Sequence, residues 1–331
     1  MKTGIISPQD WGLPVADAAS DAPLAGLGVS PAELEQRVRQ STYQWLARHF
    51  DDQAGAFYGF YSAPEGRFEP PQTVNLIAPW QLLATYDRFQ DAQLLAMARR
   101  AADWFYARFV VTHPMSVVIG GVRERLPDGE LWTKFAAEFA ILSAGLHQRT
   151  GEPLYLDRAR QSAGFLIQST RHAFSPKYNE QASRWQDMGW QSFGRVIGAF
   201  LALADRTHEA AWETYARRWG DFGLSIQAED GGLYLIDGEY SNTDLAADEL
   251  RAFTFLYERT QNRNYLRAAE RFAAWLLDHQ RPDGAWPLTI DRDGNVVVPT
   301  VGPGDIPNIA IALFRLHYVT GDTRYLDTAR L

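Results

Sequence analysis

The chain has no cysteine among its 331 residues. Disulfides, thiol nucleophiles and cysteine-ligated zinc are therefore excluded together. No run of about 18 apolar residues occurs, so no membrane span is expected. Positive charge is not in excess either. The 32 basic and 40 acidic residues leave −8, which argues against nucleic acid or an anionic membrane as partner. A glycine-rich phosphate loop, GxGxxG, GxSxG and HExxH are all missing, so no nucleotide, no other cofactor and no metal is expected. Residues 1–30 carry one early lysine, and Pro8, Gln9, Asp10 and Pro14 interrupt any apolar run. They do not read as a secretory signal, and a cytoplasmic location is expected. They read instead as an irregular arm in which Trp11 and Leu13 are the anchoring residues. What the chain has in quantity is aromatic side chains, 11 Trp, 14 Tyr and 18 Phe, which must build core or line a groove.

Length alone suggests two domains at about 150 residues each, but an internal repeat replaces that prior with one. Residues 150–168 (TGEPLYLDRARQSAGFLIQ), 260–280 (TQNRNYLRAAERFAAWLLDHQ) and 320–331 (TGDTRYLDTARL) share a polar turn, an aromatic-leucine pair and an alanine four residues after the aromatic. Residues 89–106 and 206–227 fit the same frame. The anchors Leu94, Tyr155, Trp212, Tyr265 and Tyr325 lie 61, 57, 53 and 60 residues apart, and a fainter start falls near Leu34. Before each of the five anchors runs a second, almost wholly apolar segment, from 74 to 83, 135 to 146, 193 to 203, 245 to 256 and 306 to 316. Amphipathic helices alternating with buried ones predict an inner ring of helices inside an outer ring, because no hairpin buries its own apolar face alone.

The fold class expected is thus all-α, a toroid of helical hairpins over residues 31–331, with five full hairpins and a sixth outer helix. The open sixth repeat leaves three expectations: closure by the N-terminal arm, closure by a neighbour such as a second copy of the chain, or a shortened chain. Inner-to-outer connections are short. Outer-to-inner connections are long and rich in Asp-Gly and Gly-Gly pairs, which predicts small β-hairpins on one face and puts function there.

These repeats resemble the six-hairpin, (α/α)6-barrel carbohydrate-active enzymes. The run Thr150-Gly151-Glu152-Pro153-Leu154-Tyr155-Leu156 looks like the outer-helix starts of unsaturated-uronyl hydrolases. Trp185-Gln186-Asp187-Met188-Gly189-Trp190 resembles the Gly-Trp motif that opens an inner helix in unsaturated glucuronyl and rhamnogalacturonyl hydrolases. The Arg and Asn of that motif are absent, and Trp132-Thr133-Lys134-Phe135 lacks the catalytic aspartate of the family. The resemblance implies an enzyme acting on an oligo- or polysaccharide, an acidic, uronate-containing one, by carboxylate acid/base hydrolysis. A uronate lyase or C5-epimerase and a non-catalytic glycan-binding toroid stay open. So does a terpenoid-cyclase-like enzyme, since Gln280-x-x-x-Gly284-x-Trp286 resembles the cyclases' QW repeat, with a half copy at Gln227 and Gly231. The mechanical reading of that motif is structural: the glutamine ties a helix end to a glycine turn above the tryptophan.

Candidate catalytic carboxylates are Asp248, Glu249, Glu138 and Asp187, all at or near inner-helix starts where an isolated charge is costly. Lys134, Arg195 and Arg251 are candidates for holding an acidic sugar. Asn75, Gln191, Asp305 and Asn308 are candidate polar contacts. Trp80, Trp132, Trp185, Trp190, Tyr234 and Trp286 are candidate stacking surfaces. First-turn acids such as Asp244 and Asp305 also have a plainer explanation as helix caps.

Overall fold

The computed structural model describes residues 30–330 other than 60, 63, 115 and 303, and the backbone alone of residue 45. The N-terminal arm with Trp11 and Leu13, and Leu331 at the other end, lie outside the described residues. Those described fall into two compact units, 30–165 and 166–330.

In the first unit, α1 (Pro31–Arg39) is capped by Ser30, whose Oγ accepts the Glu33 N–H at 3.2 Å. Wider turns over Gln40–Leu46 continue it. Two short hairpins follow, β1 (Phe50–Asp51) with β2 (Ala56–Phe57) and β3 (Tyr61–Ser62) with β4 (Arg67–Phe68). Then come α2 (Val74–Phe89), α3 (Ala92–Phe109), β5 (Leu131–Trp132), α4 (Thr133–Thr150) and the first part of α5 (Pro153–Arg171). Leu82, Leu83, Leu94, Ala98, Leu142, Leu146 and Tyr155 close one core between them. Each such large aliphatic side chain contributes about 1.5–3 kcal/mol on burial.

In the second unit, β6 (Lys177–Asn179) pairs with β7 (Arg184–Gln186) ahead of α6 (Phe193–Thr207) and α7 (Ala210–Ile226). Next are β8 (Tyr240–Asn242), α8 (Thr243–Thr260) and α9 (Arg263–Asp278). The hairpin β9 (Thr289–Asp291) and β10 (Val296–Val298) adds to β8, and α10 (Asp305–Thr320) and α11 (Thr323–Arg330) complete the chain. The five apolar runs fall inside α2, α4, α6, α8 and α10, and the repeat anchors fall in α3, α5, α7, α9 and α11. The even-numbered helices pack on one another, α2 on α4, α6 on α8 and α8 on α10, while each also packs on a following or preceding odd-numbered one. Phe193 of α6 meets Phe253 of α8 at a ring-centroid distance of 5.3 Å.

The polar signature of the repeat has a local cause. Each even helix ends on a left-handed residue, Gln90, Gly151, His208, Gln261 or Gly321. In four of the five the preceding threonine (Thr150, Thr207, Thr260, Thr320) donates its hydroxyl to the carbonyl four residues back. It also accepts the N–H two residues on, at 3.2 Å in each case. His147 and His317 donate Nδ1–H across the same turn to Glu152 O and Asp322 O, at 3.0 and 2.8 Å. Orphan carbonyls at the helix end are thus satisfied and the chain reverses in two or three residues.

Ion pairs tie neighbouring even helices at this tight-turn end. Asp87 of α2 pairs with Arg149 of α4, Asp205 of α6 with Arg259 of α8, and Glu258 of α8 with Arg315 of α10. The Gln-Trp element is built as its mechanical reading expects. Gln280 Nε2 donates to Gly284 O at 2.9 Å and Thr328 O at 3.2 Å, and Trp286 Nε1 donates to Leu276 O at 2.7 Å. The half copy behaves alike: Gln227 Nε2 bridges Gly231 O and Ala268 O, both at 3.0 Å. No helix among the described residues is long and apolar enough to cross a membrane.

Candidate active site

In the second unit the loop-side ends of α6, α8 and α10 gather a set of charged side chains. Asp244 and Asp248 are four residues apart on α8 and so share a face, and Arg251 follows at i+3. Asp248 Oδ2 accepts from Arg195 Nε of α6 at 2.5 Å, and its Oδ1 accepts from Arg251 at 2.8 Å. Burial would raise the Asp248 carboxyl, but the guanidiniums of Arg195 and then Arg251 outweigh it and hold the group below the usual carboxylate range. Asp248 is therefore a firmly ionised anchor with both oxygens in use.

Glu249, the next residue, is wholly inaccessible and turns into the contact between α6 and α8. Its Oε2 accepts the Gly194 N–H at 2.6 Å; its Oε1 is buried and accepts nothing among the described residues. Desolvation and the neighbouring Asp248 charge push this carboxyl well above the ordinary range, the Gly194 amide offsetting only part. Ser192, the N-cap residue of α6, makes no capping bond, so Glu249 supplies from another helix the acceptor that the α6 N-terminus needs. Gly194 permits this: a Cβ there would lie 2.4 Å from Asp248 O and 2.8 Å from Glu249 Oε2. Adjacent residues of α8 thus grip adjacent residues of α6. The sequence reading placed Glu249 among the groups facing substrate. Packing puts it inside, because helix rotation cannot expose two successive residues on one face.

Asp305 opens α10 and is half-buried. Its carboxyl is raised to about 6, first by desolvation and then by the charge of Asp244, with Arg195 pulling the other way. A capping role would have lowered it. Asn242 and Gly304, the N-cap residues of α8 and α10, supply no side-chain capping bond, and Asp244 and Asp305 lie in the first turns of these helices. Asn308 is exposed and donates to Gly304 O at 3.0 Å.

The other candidates separate. In the first unit Asn75 is fully buried, its Oδ1 taking the Phe57 N–H at 2.7 Å and its Nδ2 donating to Phe57 O and Gln72 O. It pins β2 to α2, so the expectation of a substrate contact gives way to an internal lock. Glu138 is buried within α4, and Trp132 lies at its start. Lys134 Nζ sits 5.5 Å from the Trp132 ring and 4.9 Å from the Phe135 ring, and Trp80 packs partly buried on the core cluster. In the second unit Trp286 is internal, as its bond to Leu276 requires. Trp185 stacks on His172 at 5.5 Å, and Trp190 bridges to Ile236. Asp187, Gln191 and Tyr234 do come together, in a cleft of about 510 Å³ that Asp237, Phe222 and Arg292 also line. Arg292 on the β9–β10 hairpin and the close-approach role of Gly194 were not anticipated. The first has no sequence signal, while the second shows only as a glycine in an otherwise apolar helix start. No group of three or more acidic or histidine side chains that could hold a metal occurs among the described residues.

No protein-family model and no curated protein matches the sequence. Solved structures do. Cellobiose 2-epimerase from Bacillus thermoamylovorans B4167 matches with a TM-score of 0.74 at 12% identity, over 89% of this chain and 85% of that one. D-mannose isomerase matches with a TM-score of 0.73 at 13% identity, over 91% and 84%. An unsaturated glucuronyl hydrolase specific for heparin matches with a TM-score of 0.61 at 16% identity, over 89% and 81%. The fold is that of the (α/α)6-barrel carbohydrate-active enzymes, as the repeat implies. At these identities the likeness speaks for the fold and not for the reaction.

Proposed function

We propose that the chain is a carbohydrate-active enzyme whose proton chemistry is carried by Asp305 with Asp244, at the loop-side ends of α10 and α8. The observation that supports this most is the state of Asp305. It is half-buried, uncapped and poised near 6, so it can hold a proton close to neutrality and release it. Asp244 is the carboxylate beside it. Asp248, bound by two arginines, positions Arg195 at the same mouth, and Glu249 fixes the start of α6. These two act through structure rather than on the substrate.

Asp244, Asp248 and Asp305 lie in this group, and its two arginines, Arg195 and Arg251, are both engaged by Asp248. That balance favours an uncharged sugar over a uronate. In the hydrolytic reading, Asp305 protonates the glycosidic oxygen while Asp244 serves a water or the developing cation. A second reading is epimerisation or isomerisation of a reducing sugar, favoured by the two matches with the higher TM-scores. There the same pair would take and return a carbon-bound proton.

One panel separates them. The purified chain is incubated with neutral and uronate-containing oligosaccharides, following new reducing ends by chromatography and C2 exchange in D2O by NMR. Turnover lost in Asp305→Asn and Asp244→Asn supports the site. Wild-type turnover in both variants removes it. Saturable binding with no turnover of any substrate by the wild type would make this a glycan-binding protein.

A further inference from the structure

The cleft holding Asp187, Gln191, Tyr234, Asp237, Arg292 and Phe222 shares no lining residue with the Asp305 group. We infer that this cleft is a second saccharide site, taking a neutral sugar unit of a longer glycan; the inference rests on the reading of the protein as sugar-active.

Three observations carry it. The first is the chemistry of the lining. Two carboxylates (Asp187, Asp237) and two amides (Gln191, Gln227), with a single guanidinium, suit vicinal hydroxyls and repel anions. Among the described residues the exposed Asp187 carboxylate takes no hydrogen bond or ion pair. Arg292 lies over the Tyr234 ring at 4.9 Å and donates to Gly238 O, which holds its head at the cleft. Tyr234 in turn donates its hydroxyl to Asp230 at 2.6 Å.

The second is the apolar wall. Phe222 stacks on Phe174 with centroids 4.5 Å apart and planes 11° from parallel. A ring wall facing hydroxyl-binding groups is the usual makeup of a site for sugars, which have both an apolar face and a polar edge.

The third is how the wall is made. Ala173 and Phe174 both hold left-handed backbone, φ 55° and 59°. They are the only two successive non-glycine residues among those described to do so. The remaining cases end helices (Gln90, His208, Gln261) or turn hairpins (Ser183, Asp237). Left-handed backbone costs a non-glycine residue roughly 1–2 kcal/mol. Gln191 Nε2 donates to Phe174 O at 2.7 Å and holds the strained wall in place. The cleft's volume of about 510 Å³ lies inside the roughly 300–1,000 Å³ range of small-molecule sites.

The test is isothermal titration of the full chain with cello-oligosaccharides and α-1,6-manno-oligosaccharides. Four proteins are compared: wild type, Asp187→Ala, Arg292→Ala and Asp305→Asn. The expected result is binding by wild type and Asp305→Asn in the millimolar range, weakened about fivefold or more in each cleft variant. Both cleft side chains are exposed, so the variants keep their fold, checked by circular dichroism. Affinity unchanged in both cleft variants overturns the inference, as does no binding of either series by wild type up to about 10 mM. The two readings fail separately. Turnover retained in Asp305→Asn, with affinity lost in Arg292→Ala, removes the acid site and keeps the cleft. Turnover lost in Asp305→Asn, with affinity kept in both cleft variants, does the reverse.

Discussion

At the tight-turn end of α6, α8 and α10, acids pair with arginines across neighbouring helices: Asp205 with Arg259, and Glu258 with Arg315. At the loop-side end of the same helices, one aspartate, Asp248, absorbs both Arg195 and Arg251. Beyond it, burial and Asp244 push Asp305 up to about 6. The first arrangement fastens neighbouring helices and asks nothing more of them. The second holds more acid than fastening needs, in surroundings where each extra carboxylate is costly. Charge kept where it destabilises is the pattern expected of a working site.

The contrast can be tested at either end. The largest effect is expected from Asp305→Asn, which should lower turnover by roughly 10²–10⁴-fold, the range for removing a general acid. The same substitution should raise Tm at pH 7 by about 2 °C, because it deletes a buried charge. The sign follows from linkage: a carboxyl raised in the folded state binds more protons there than in the unfolded chain. Wild-type stability therefore falls as pH rises from the ordinary aspartate range to about 6. The Asn variant should lose that slope in calorimetric scans, and wild-type turnover should decline above about pH 6.

Next comes Gly194→Ala. Its methyl would meet Asp248 O at 2.4 Å, backbone that cannot swing aside. About 3 kcal/mol of stability should go, read from urea unfolding, and Arg195 should lose its place on Asp248. A loss below about 0.5 kcal/mol would mean that α6 and α8 do not touch as described.

At the matched end, Glu258→Gln should cost about 1 kcal/mol in the same assay and leave turnover unchanged, because its pair with Arg315 is only a fastener. A fall in turnover there would erase the distinction between the ends. Glu249→Gln keeps an oxygen that can accept the Gly194 N–H and removes a carboxyl that the fold holds well above its ordinary range. Wild-type stability should fall as pH rises above the ordinary glutamate range, and the variant should lose that slope when urea unfolding is followed across pH.

Much of this architecture was legible in the residues. The apolar runs of α2, α4, α6, α8 and α10 and the anchors Tyr155, Tyr265 and Tyr325 specify alternating helices, because hydrophobic period and burial are local statistical properties of a chain. The threonine-bearing turns and the Gln280–Gly284–Trp286 element were legible for the same reason: their bonds join residues close in sequence. That Asp248, Arg195 and Arg251 are charges at helix starts is legible in the sequence; that they are each other's partners is not.

Other features depend on contacts between segments dozens of residues apart. The reach of Glu249 to Gly194 spans 55 residues, and the cleft sets Asp187 against Arg292. The charge on Asp305 is set by Asp244 on a different helix and by the water its surroundings exclude. Composition and spacing therefore determine that the chain is an all-α repeat with acids and arginines at its helix starts. Which acid is clamped, which is hidden and which stays poised to exchange a proton depends on how α6, α8 and α10 rotate against one another. Desolvation and Coulomb terms act through space and not along the chain.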